Sequence, residues 1–192
     1  MGKLGELVAL VETLEVNLIF IQESWLDASV VNPVVPNFYV LSRRDRHEKS
    51  NRGGVIIYAR GDLNNVIAFK KCAGSERLWC LVQRDSSCVA LCNWYLPPGG
   101  SLEEIDSLRA DLAEISLLAD SVIVCGDLNV HHASWLRFSN GDTPRGRHLK
   151  DVCDSHGLHE KVGQPTRGDY LLDLVLCSHP DVKVKVAPKV AD

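Results

Sequence analysis

The stretch S-V-I-V-C-G-D-L-N-V-H-H (121–132) decides the fold of this chain. Its first five residues are apolar or small, as in a strand that is buried on both faces. A glycine, a carboxylate, a carboxamide and two imidazoles follow within seven residues. A carboxylate at the mouth of a buried strand must be solvated, hydrogen-bonded or bound to a metal, because burying it alone is too costly. The stretch therefore predicts a strand that ends in a functional site.

Two more apolar stretches end in polar side chains in the same way. N-L-I-F-I-Q-E (17–23) ends at Glu23, and C-V-A-L-C-N-W-Y (88–95) ends at Tyr95 after Asn93. In layered α/β folds, the ends of strands are where side chains converge on a ligand. We therefore expect one site that is built from several strand ends.

Helical and strand patterns alternate along the rest of the chain. Paired glycines open one strand, and a three-residue turn (85–87) joins two others as a hairpin. Ser101 and Glu104 are spaced as a capping box at the start of a helix. The remaining stretches are a helix over 3–16, strands over 53–60, 77–84 and 171–177, and a helix over 146–156. An embedded hairpin points to an α/β protein with mixed sheets rather than a purely parallel one.

Length and charge limit the class of protein. The 192 residues suit a single domain over 1–192, and the formal net charge of −4 speaks against a protein that coats nucleic acid. It does not speak against an enzyme that touches a few phosphates around one bond. A local basic cluster that includes Arg43, Arg44 and Arg46 is either a substrate-facing loop or an ordinary solvated loop.

Cysteine usage and the N-terminal sequence indicate an intracellular protein. The seven cysteines include no C-x-x-C pair and are odd in number, which fits reduced thiols rather than a disulfide framework or a zinc site. The first residues lack the pattern of a signal peptide, and no apolar run is long enough to span a bilayer. We expect neither membrane attachment nor a stable oligomer.

The polar residues at the strand ends match the chemistry of phosphodiester hydrolysis. Such hydrolysis needs a positioned water, a group that orients or deprotonates it, and donors for the developing charge. Carboxylates with amide partners favour Mg²⁺ over zinc, with Mn²⁺ as the alternative ion. The plain alternative is that Glu23 and Asp127 are helix-capping or salt-bridge residues. The pair His131–His132 lacks partners at zinc spacing, which favours a structural or substrate-groove role.

Six stretches in this order resemble the endonuclease/exonuclease/phosphatase family, over nearly the whole chain. The chain looks most like the endonuclease domain of jockey-like non-LTR retrotransposons. The stretches are Q-E-S-W-L (22–26), G-G-V-I-I-Y (53–58), Y-L-P-P (95–98), G-D-L-N-V-H-H-A-S-W (126–135), P-T-R (165–167) and L-L-D-L-V-L (171–176). The resemblance implies a layered α/β/β/α sandwich with two mixed sheets.

The resemblance also implies roles for individual residues. Glu23 is expected to bind the metal, together with Asp192. Tyr95 is expected to hydrogen-bond the scissile phosphate. Asp127 is expected to orient or deprotonate the attacking water, and Asn129 to hold the phosphate and that water.

Three further positions follow from the same resemblance. Asp173 resembles the aspartate that orients the family's catalytic histidine. His131 and Arg44 are candidates for substrate binding. Val190-Ala191-Asp192 resembles the family's terminal motif up to the residue before that histidine. We therefore expect a domain without the family's first strand and without its final strand and histidine, and impaired activity in the isolated chain.

Three interpretations remain open at this point. The first is a Mg²⁺-dependent endonuclease that nicks one DNA strand, leaving a 3′-hydroxyl for a neighbouring reverse transcriptase in an element that works in the nucleus. The second is a catalytically impaired or inactive remnant that keeps the fold and DNA binding. The third is a relative that acts on small phosphoesters or lipids, against which the 126–135 and 165–167 stretches argue.

Overall fold

A computed structural model describes residues 2–46, 53–72 and 74–187 of the chain. The chain forms helices and strands in the alternation that the sequence predicts. They are α1 (Gly2–Thr13), β1 (Leu18–Gln22), β2 (Phe38–Arg44), β3 (Val55–Arg60), β4 (Val66–Lys71), β5 (Glu76–Arg84), β6 (Ser87–Tyr95), α2 (Leu102–Ile115), β7 (Ser121–Asp127), α3 (Pro144–Ser155), β8 (His159–Glu160) and β9 (Asp173–Cys177).

The strands form two sheets. The first has the order β1-β3-β2 and is antiparallel throughout. The second has the order β4-β5-β6-β7-β9-β8 and is mixed, because β6 and β7 are parallel while its other neighbours are antiparallel. The hairpin of β5 and β6 is confirmed, and its register pairs Glu76 with Tyr95.

Three apolar layers hold these elements together. Leu7 and Val11 of α1 pack on the outer face of the first sheet. Between the sheets lies a second layer, in which Ile57 of β3 and Leu78 of β5 are buried. The helices α2 and α3 cover the other face of the second sheet in the largest cluster. The order helix, sheet, sheet, helix confirms the predicted α/β/β/α sandwich.

Three short strands are missing from the sequence-based prediction, and one predicted cap is wrong. The missed strands are β2, β4 and β8, of which β8 has only two residues. Ser101 stands at the N-cap of α2 in an extended conformation, but its side chain makes no capping hydrogen bond. The side chain of Thr143 does cap α3, where it accepts a hydrogen bond from Gly146 N at 3.0 Å. That helix starts two residues earlier than predicted, because Pro144 suits its first position.

A buried ion pair joins the second sheet to α2. Asp111 of α2 is 4% exposed and accepts a hydrogen bond from Nε of the fully buried Arg77 at 2.8 Å. Lys70 Nζ lies 2.8 Å from its other oxygen. Trp79 Nε1 at 3.1 Å and Cys72 Sγ at 2.9 Å donate to Oδ2, the oxygen that Arg77 contacts. This carboxylate has as many donors as its oxygens can accept, which is what makes its burial tolerable.

Among the described residues, no helix has the length and apolar character that crossing a membrane requires.

Candidate active site

Polar side chains from four strands meet at one edge of the sandwich. Glu23 follows β1 directly, Tyr95 ends β6, and Asp127 ends β7. Because β6 and β7 are parallel, both strands reach the same edge of their sheet. Asp173 opens β9 and lies opposite Asp127 in the antiparallel register. The expected convergence of strand ends is confirmed.

Buried Asn93 fixes the two sheets relative to each other beside this edge. It lies two residues before Tyr95, so both side chains point from β6 toward the first sheet. The Asn93 amide donates to Ile21 O at 3.0 Å and to Ile56 O at 3.1 Å, and its oxygen accepts from Gln22 Nε2. These bonds join β6 to both β1 and β3. They hold the strand that carries Tyr95 against the strand that leads to Glu23.

Tyr95 and Glu23 contact each other across the two sheets. The Tyr95 hydroxyl donates a hydrogen bond to Glu23 Oε1. Burial, and then this carboxylate, raise the pKa of Tyr95 above its ordinary value, so the phenol stays neutral and keeps its proton. Glu23 has a φ of 51°, in the left-handed region that a side chain disfavours. The next amides fix this turn, since Ser24 N donates to Gly54 O at 3.1 Å.

Asp127 is a buried carboxylate with few partners. It is 4% exposed, and its Oδ2 pairs with Arg167 Nη2 at 2.8 Å. Its Oδ1 accepts a long hydrogen bond of 3.3 Å from Asn129 N. Burial first, and then the charge of Asp173, raise the pKa of Asp127 from 3.8 to about 6, while Arg167 acts in the opposite direction and Glu23 adds a smaller increase. The carboxylate is therefore ionised at neutral pH at a cost to the folded state.

Asn129 and Gly126 depend on unusual backbone conformations. Asn129 has a φ of 45°, and its Nδ2 donates to Leu96 O at 3.1 Å. Its second amide hydrogen and its amide oxygen have no hydrogen-bond partner among the residues that the structure describes. Gly126 has a φ of 147°, and a β-carbon there would overlap the carbonyl oxygen of Trp94. The glycine of the decisive stretch is thus required because β7 comes this close to β6.

The carboxylates at the strand ends fit a hard cation such as Mg²⁺. Glu23 and Asp173 both act to raise the pKa of Asp127, and a divalent cation would relieve that repulsion. No cluster of three His, Cys, Asp or Glu side chains forms a ligand set within the described residues. Mg²⁺ needs none, because it is commonly held by one or two carboxylates with water and substrate oxygens. Asp192 lies outside the described residues, so its role in metal binding stays a prediction.

His131 is braced at the rim of this edge. Its ring packs edge-on against Tyr170, with 5.9 Å between ring centroids. Its carbonyl oxygen accepts from Thr143 N at 3.0 Å, and a β-carbon at Gly146 would overlap that oxygen. Its Nδ1 lies 3.4 Å from Ser139 Oγ. The substrate-binding role that was predicted for His131 stays a prediction, and the contacts indicate a structural role besides.

Arg44 lines a cavity of about 240 Å³. Arg46 and Glu76 line the same cavity. Within the part of the chain that the structure describes, Arg44 forms no side-chain ion pair, whereas Arg43 is tied to Asp45 at 2.6 Å. Arg44 therefore has a guanidinium to offer a substrate, and its predicted role stays open.

The sequence analysis assigned no individual role to two arginines of the site, and it named the first of them only as part of the basic cluster. Arg46 is paired with the buried Glu76, and its guanidinium lies over the ring of Tyr95 at 5.5 Å from the centroid. The same glutamate accepts from Gly54 N at 2.6 Å. Arg167 was noted only as part of P-T-R, without a role. The signal for Arg46 was a glutamate at the start of an apolar strand, since a carboxylate there requires a partner.

Comparison with solved structures shows the fold. The endonuclease domain of TRAS1, a telomere-specific non-LTR retrotransposon, aligns with a TM-score of 0.65 at 20% identity, over 90% of this chain and 77% of that one. The AP endonuclease LMAP from Leishmania major gives 0.73 at 17% identity, over 92% and 74%. An endonuclease/exonuclease/phosphatase family protein from Leptotrichia buccalis gives 0.60 at 13% identity, over 96% and 84%. These likenesses confirm the predicted fold.

Sequence comparison shows the family. No curated protein matches this chain in sequence. A family model described as endonuclease-reverse transcriptase matches residues 89–191, which include Tyr95, Asp127, Asn129 and Asp173. Since this match covers more than half of the chain, the chain belongs to the endonuclease-reverse transcriptase family and is, by family, a phosphodiester-hydrolysing endonuclease.

Proposed function

We propose that this chain is a Mg²⁺-dependent DNA endonuclease of a non-LTR retrotransposon, which nicks one strand. The observation that carries the proposal is the meeting of Glu23, Tyr95 and Asp127 at one edge of the sandwich. Those residues come from three strands and from both sheets, so their meeting is a property of the fold. A carboxylate, a neutral phenol and a second carboxylate are the groups that phosphodiester hydrolysis needs.

Glu23 holds the metal in this proposal, together with Asp192. When bound there, Mg²⁺ supplies positive charge to the phosphate oxygens and neutralises the charge that develops on them. Glu23 is exposed, so a cation and its water ligands can reach it. Its hydrogen bond with Tyr95 ties the metal ligand to the phosphate-binding residue.

Asp127 accepts the proton of the attacking water or orients that water. A general base works best with a pKa near the pH of the reaction, and burial raises the pKa of Asp127 to about 6. Tyr95 keeps its proton, because its pKa is raised, and its hydroxyl turns from Glu23 to donate a hydrogen bond to the scissile phosphate. Asn129 contributes the amide hydrogen that Leu96 O does not take. Asp173, opposite Asp127 in the sheet, adds negative charge beside it and has the role of the aspartate that orients the family's catalytic histidine.

The reverse transcriptase in the family's description bears on which chemical group hydrolysis leaves at the 3′ end of the nicked strand. The family description joins the endonuclease to a reverse transcriptase, which needs a primer with a free 3′-hydroxyl. We infer that hydrolysis leaves this 3′-hydroxyl, and that a reverse transcriptase of the same element extends it in the nucleus. A DNA polymerase that extends the nicked strand without prior phosphatase treatment would support this polarity. Extension only after phosphatase treatment would contradict it.

The test of the activity is nicking of supercoiled plasmid by the purified chain with Mg²⁺. We expect open-circular product that disappears with EDTA and falls by about 10³-fold or more in Asp127→Ala, on the scale of losing a catalytic base. The matched control is Asp151→Ala, which removes an exposed aspartate from α3 and should nick normally. A folded chain that binds DNA but does not nick it would overturn the proposal and favour an inactive remnant.

A further inference from the structure

Arg167 is the cation that faces the buried Asp127. Its Nη2 lies 2.8 Å from Asp127 Oδ2, and the two side chains differ greatly in exposure, at 58% for Arg167 and 5% for Asp127. Within the described residues no other side-chain cation is paired with Asp127. The proposed base of the reaction is therefore occupied, on one oxygen, by an arginine that is half in solvent.

The backbone of Arg167 is fixed although its side chain is exposed. Arg167 N donates to Tyr170 O at 2.9 Å, and Tyr170 N donates back to Arg167 O at 3.0 Å. Thr166 Oγ1 accepts from Asp173 N at 3.0 Å, and Tyr170 packs on His131. The arginine thus stands on a short, braced turn at the mouth of the site. Its guanidinium can change partners by side-chain rotation, without movement of the main chain.

We propose that Arg167 is a substrate-binding residue that exchanges partners, pairing with Asp127 in the free protein and with a DNA phosphate in the complex. The inference rests on the proposed function, because it needs a phosphodiester beside Asp127. A guanidinium binds phosphate through two parallel hydrogen bonds, which a single contact to Asp127 Oδ2 does not provide. On exchange, Oδ2 of Asp127 becomes available to the attacking water.

The energetics of both states favour such an exchange. In the free protein the charges of Asp173 and Glu23 make the ionisation of Asp127 more costly, and Arg167 offsets part of that cost. An ion pair with a half-exposed partner is weak, so a phosphate that arrives with two acceptor oxygens can displace it. Arginine in this place thereby stabilises the empty site and recognises the substrate.

A double-mutant cycle on DNA binding tests the exchange. The probe is a fluorescein-labelled duplex oligonucleotide, and binding is followed by anisotropy in EDTA, so that no cleavage occurs. The proteins are the unaltered chain, Asp127→Asn, Arg167→Ala and the double variant. Asp127→Asn releases Arg167 for the phosphate, so we expect about fivefold tighter binding, on the scale of one half-exposed ion pair. In the Arg167→Ala background the same change should alter binding by less than about twofold.

The single variants give a second measure. Arg167→Ala should weaken binding by about 5- to 10-fold and reduce the salt dependence by about one phosphate contact. Arg167→Lys keeps the charge but not the forked donors, so its DNA affinity should lie between that of the unaltered chain and that of Arg167→Ala. Arg84→Ala, at the opposite end of β5, removes an exposed arginine far from the site and should leave binding unchanged.

Two outcomes would overturn the inference. If Asp127→Asn tightens binding equally with and without Arg167, the gain comes from charge removal and no exchange takes place. If Arg167→Ala binds DNA with unchanged affinity and salt dependence, Arg167 does not contact phosphate. Failure of the proposed function is measured separately in the plasmid assay, as a folded chain that does not nick or as normal nicking by Asp127→Ala, and neither assay's result implies the other's.

Discussion

Asp111 and Asp127 are both 4% exposed, yet their surroundings act on them in opposite directions. Burial tends to raise the pKa of Asp111, but the charge of Arg77 and hydrogen bonds from Cys72, Lys70 and Trp79 outweigh it, so its pKa lies below the ordinary value. Burial, and then the charge of Asp173, raise the pKa of Asp127 to about 6. Burial alone therefore does not decide whether the pKa of a carboxyl group is raised or lowered.

The number of donors separates the two sites. Around Asp111, two cations, an indole and a thiol take up the carboxylate oxygens, so nothing remains to bind a ligand. Around Asp127, one exposed arginine and one long backbone contact leave capacity unused. A fully paired buried carboxylate serves folding, and a partly paired one is available for chemistry. Substitutions at the two sites test that contrast.

The largest difference should appear when each carboxylate is replaced by its amide. Asp111→Asn leaves the fully buried Arg77 without its counter-ion, so we expect a loss of about 3–5 kcal/mol in the free energy of unfolding. Asp127→Asn removes a buried carboxylate whose ionisation destabilises the folded state, so the free energy of unfolding at pH 7.5 should equal or exceed that of the unaltered chain. Urea unfolding in EDTA, followed by circular dichroism, measures both. Equal destabilisation by the two variants would remove the contrast.

The pH dependence of stability should carry opposite signs at the two positions. The pKa of Asp127 in the folded state is raised from 3.8 to about 6, so between these values the folded state holds a proton that the unfolded state has lost. The contribution of Asp127 to the free energy of unfolding therefore falls as pH rises from 4 to 6. The fall amounts to about 3 kcal/mol at most. The gain of Asp127→Asn over the unaltered chain should therefore grow across this range. For Asp111, whose pKa is lowered, stability is lost as pH falls through the acid range.

A flat difference between the unaltered chain and Asp127→Asn from pH 4 to pH 7 would contradict the raised pKa of Asp127. Urea titrations in EDTA at half-unit steps of pH are sufficient, and Asp151→Asn on α3 serves as the surface control.

A smaller effect is expected from Lys70, the more exposed cation at Asp111. Its side chain is 32% exposed, so Lys70→Met should cost about 1 kcal/mol or less, while the pairing with Arg77 persists. Lys183→Met, on the exposed C-terminal stretch, is the matched control. Thermal unfolding of the three proteins gives the comparison. A loss as large as that of Asp111→Asn would mean that Lys70, not Arg77, is the main counter-ion.

The smallest effect concerns the neighbours of Asp127. Asp173 raises the pKa of Asp127 more than Glu23 does, so Asp173→Asn should lower that pKa further than Glu23→Gln. Titration of the aspartate carboxyl carbons by NMR in EDTA resolves the order. The reverse order would place Glu23, not Asp173, as the nearer charge to Asp127.

The sequence predicts the edge where the site lies because burial and strand periodicity are local properties. The apolar runs before Glu23, Tyr95 and Asp127 mark strands, and a polar residue after such a run must sit at a strand end. Strand β2 escaped this reasoning because its second half, S-R-R, looks like part of the basic cluster. Strand β4 lies at the edge of its sheet and exposes Ile67, so its apolar residues do not form a clear strand pattern in the sequence.

Pairings between distant side chains could not be predicted from one sequence. Asp111 lies 34 positions from Arg77, and Arg167 lies 40 positions from Asp127. In the sequence, Asp111 looks like a solvent-facing residue of an amphipathic helix, and nothing local says that it faces a buried arginine. Only the packing of α2 on the second sheet brings this pair together.

The polar contacts between the two sheets have a mechanical consequence. Among the described residues, hydrogen bonds that cross from one sheet to the other come from Asn93, Glu76 and Tyr95, all at the end that carries the site. Away from that end, the contacts between the sheets within the described ranges are apolar, and such contacts have no preferred direction. The two sheets are therefore joined by directional hydrogen bonds at one end and by apolar packing at the other. Backbone amide exchange should be slowest at the end where these hydrogen bonds lie. Heating should therefore disturb the far end of the sandwich before it disturbs the catalytic groups.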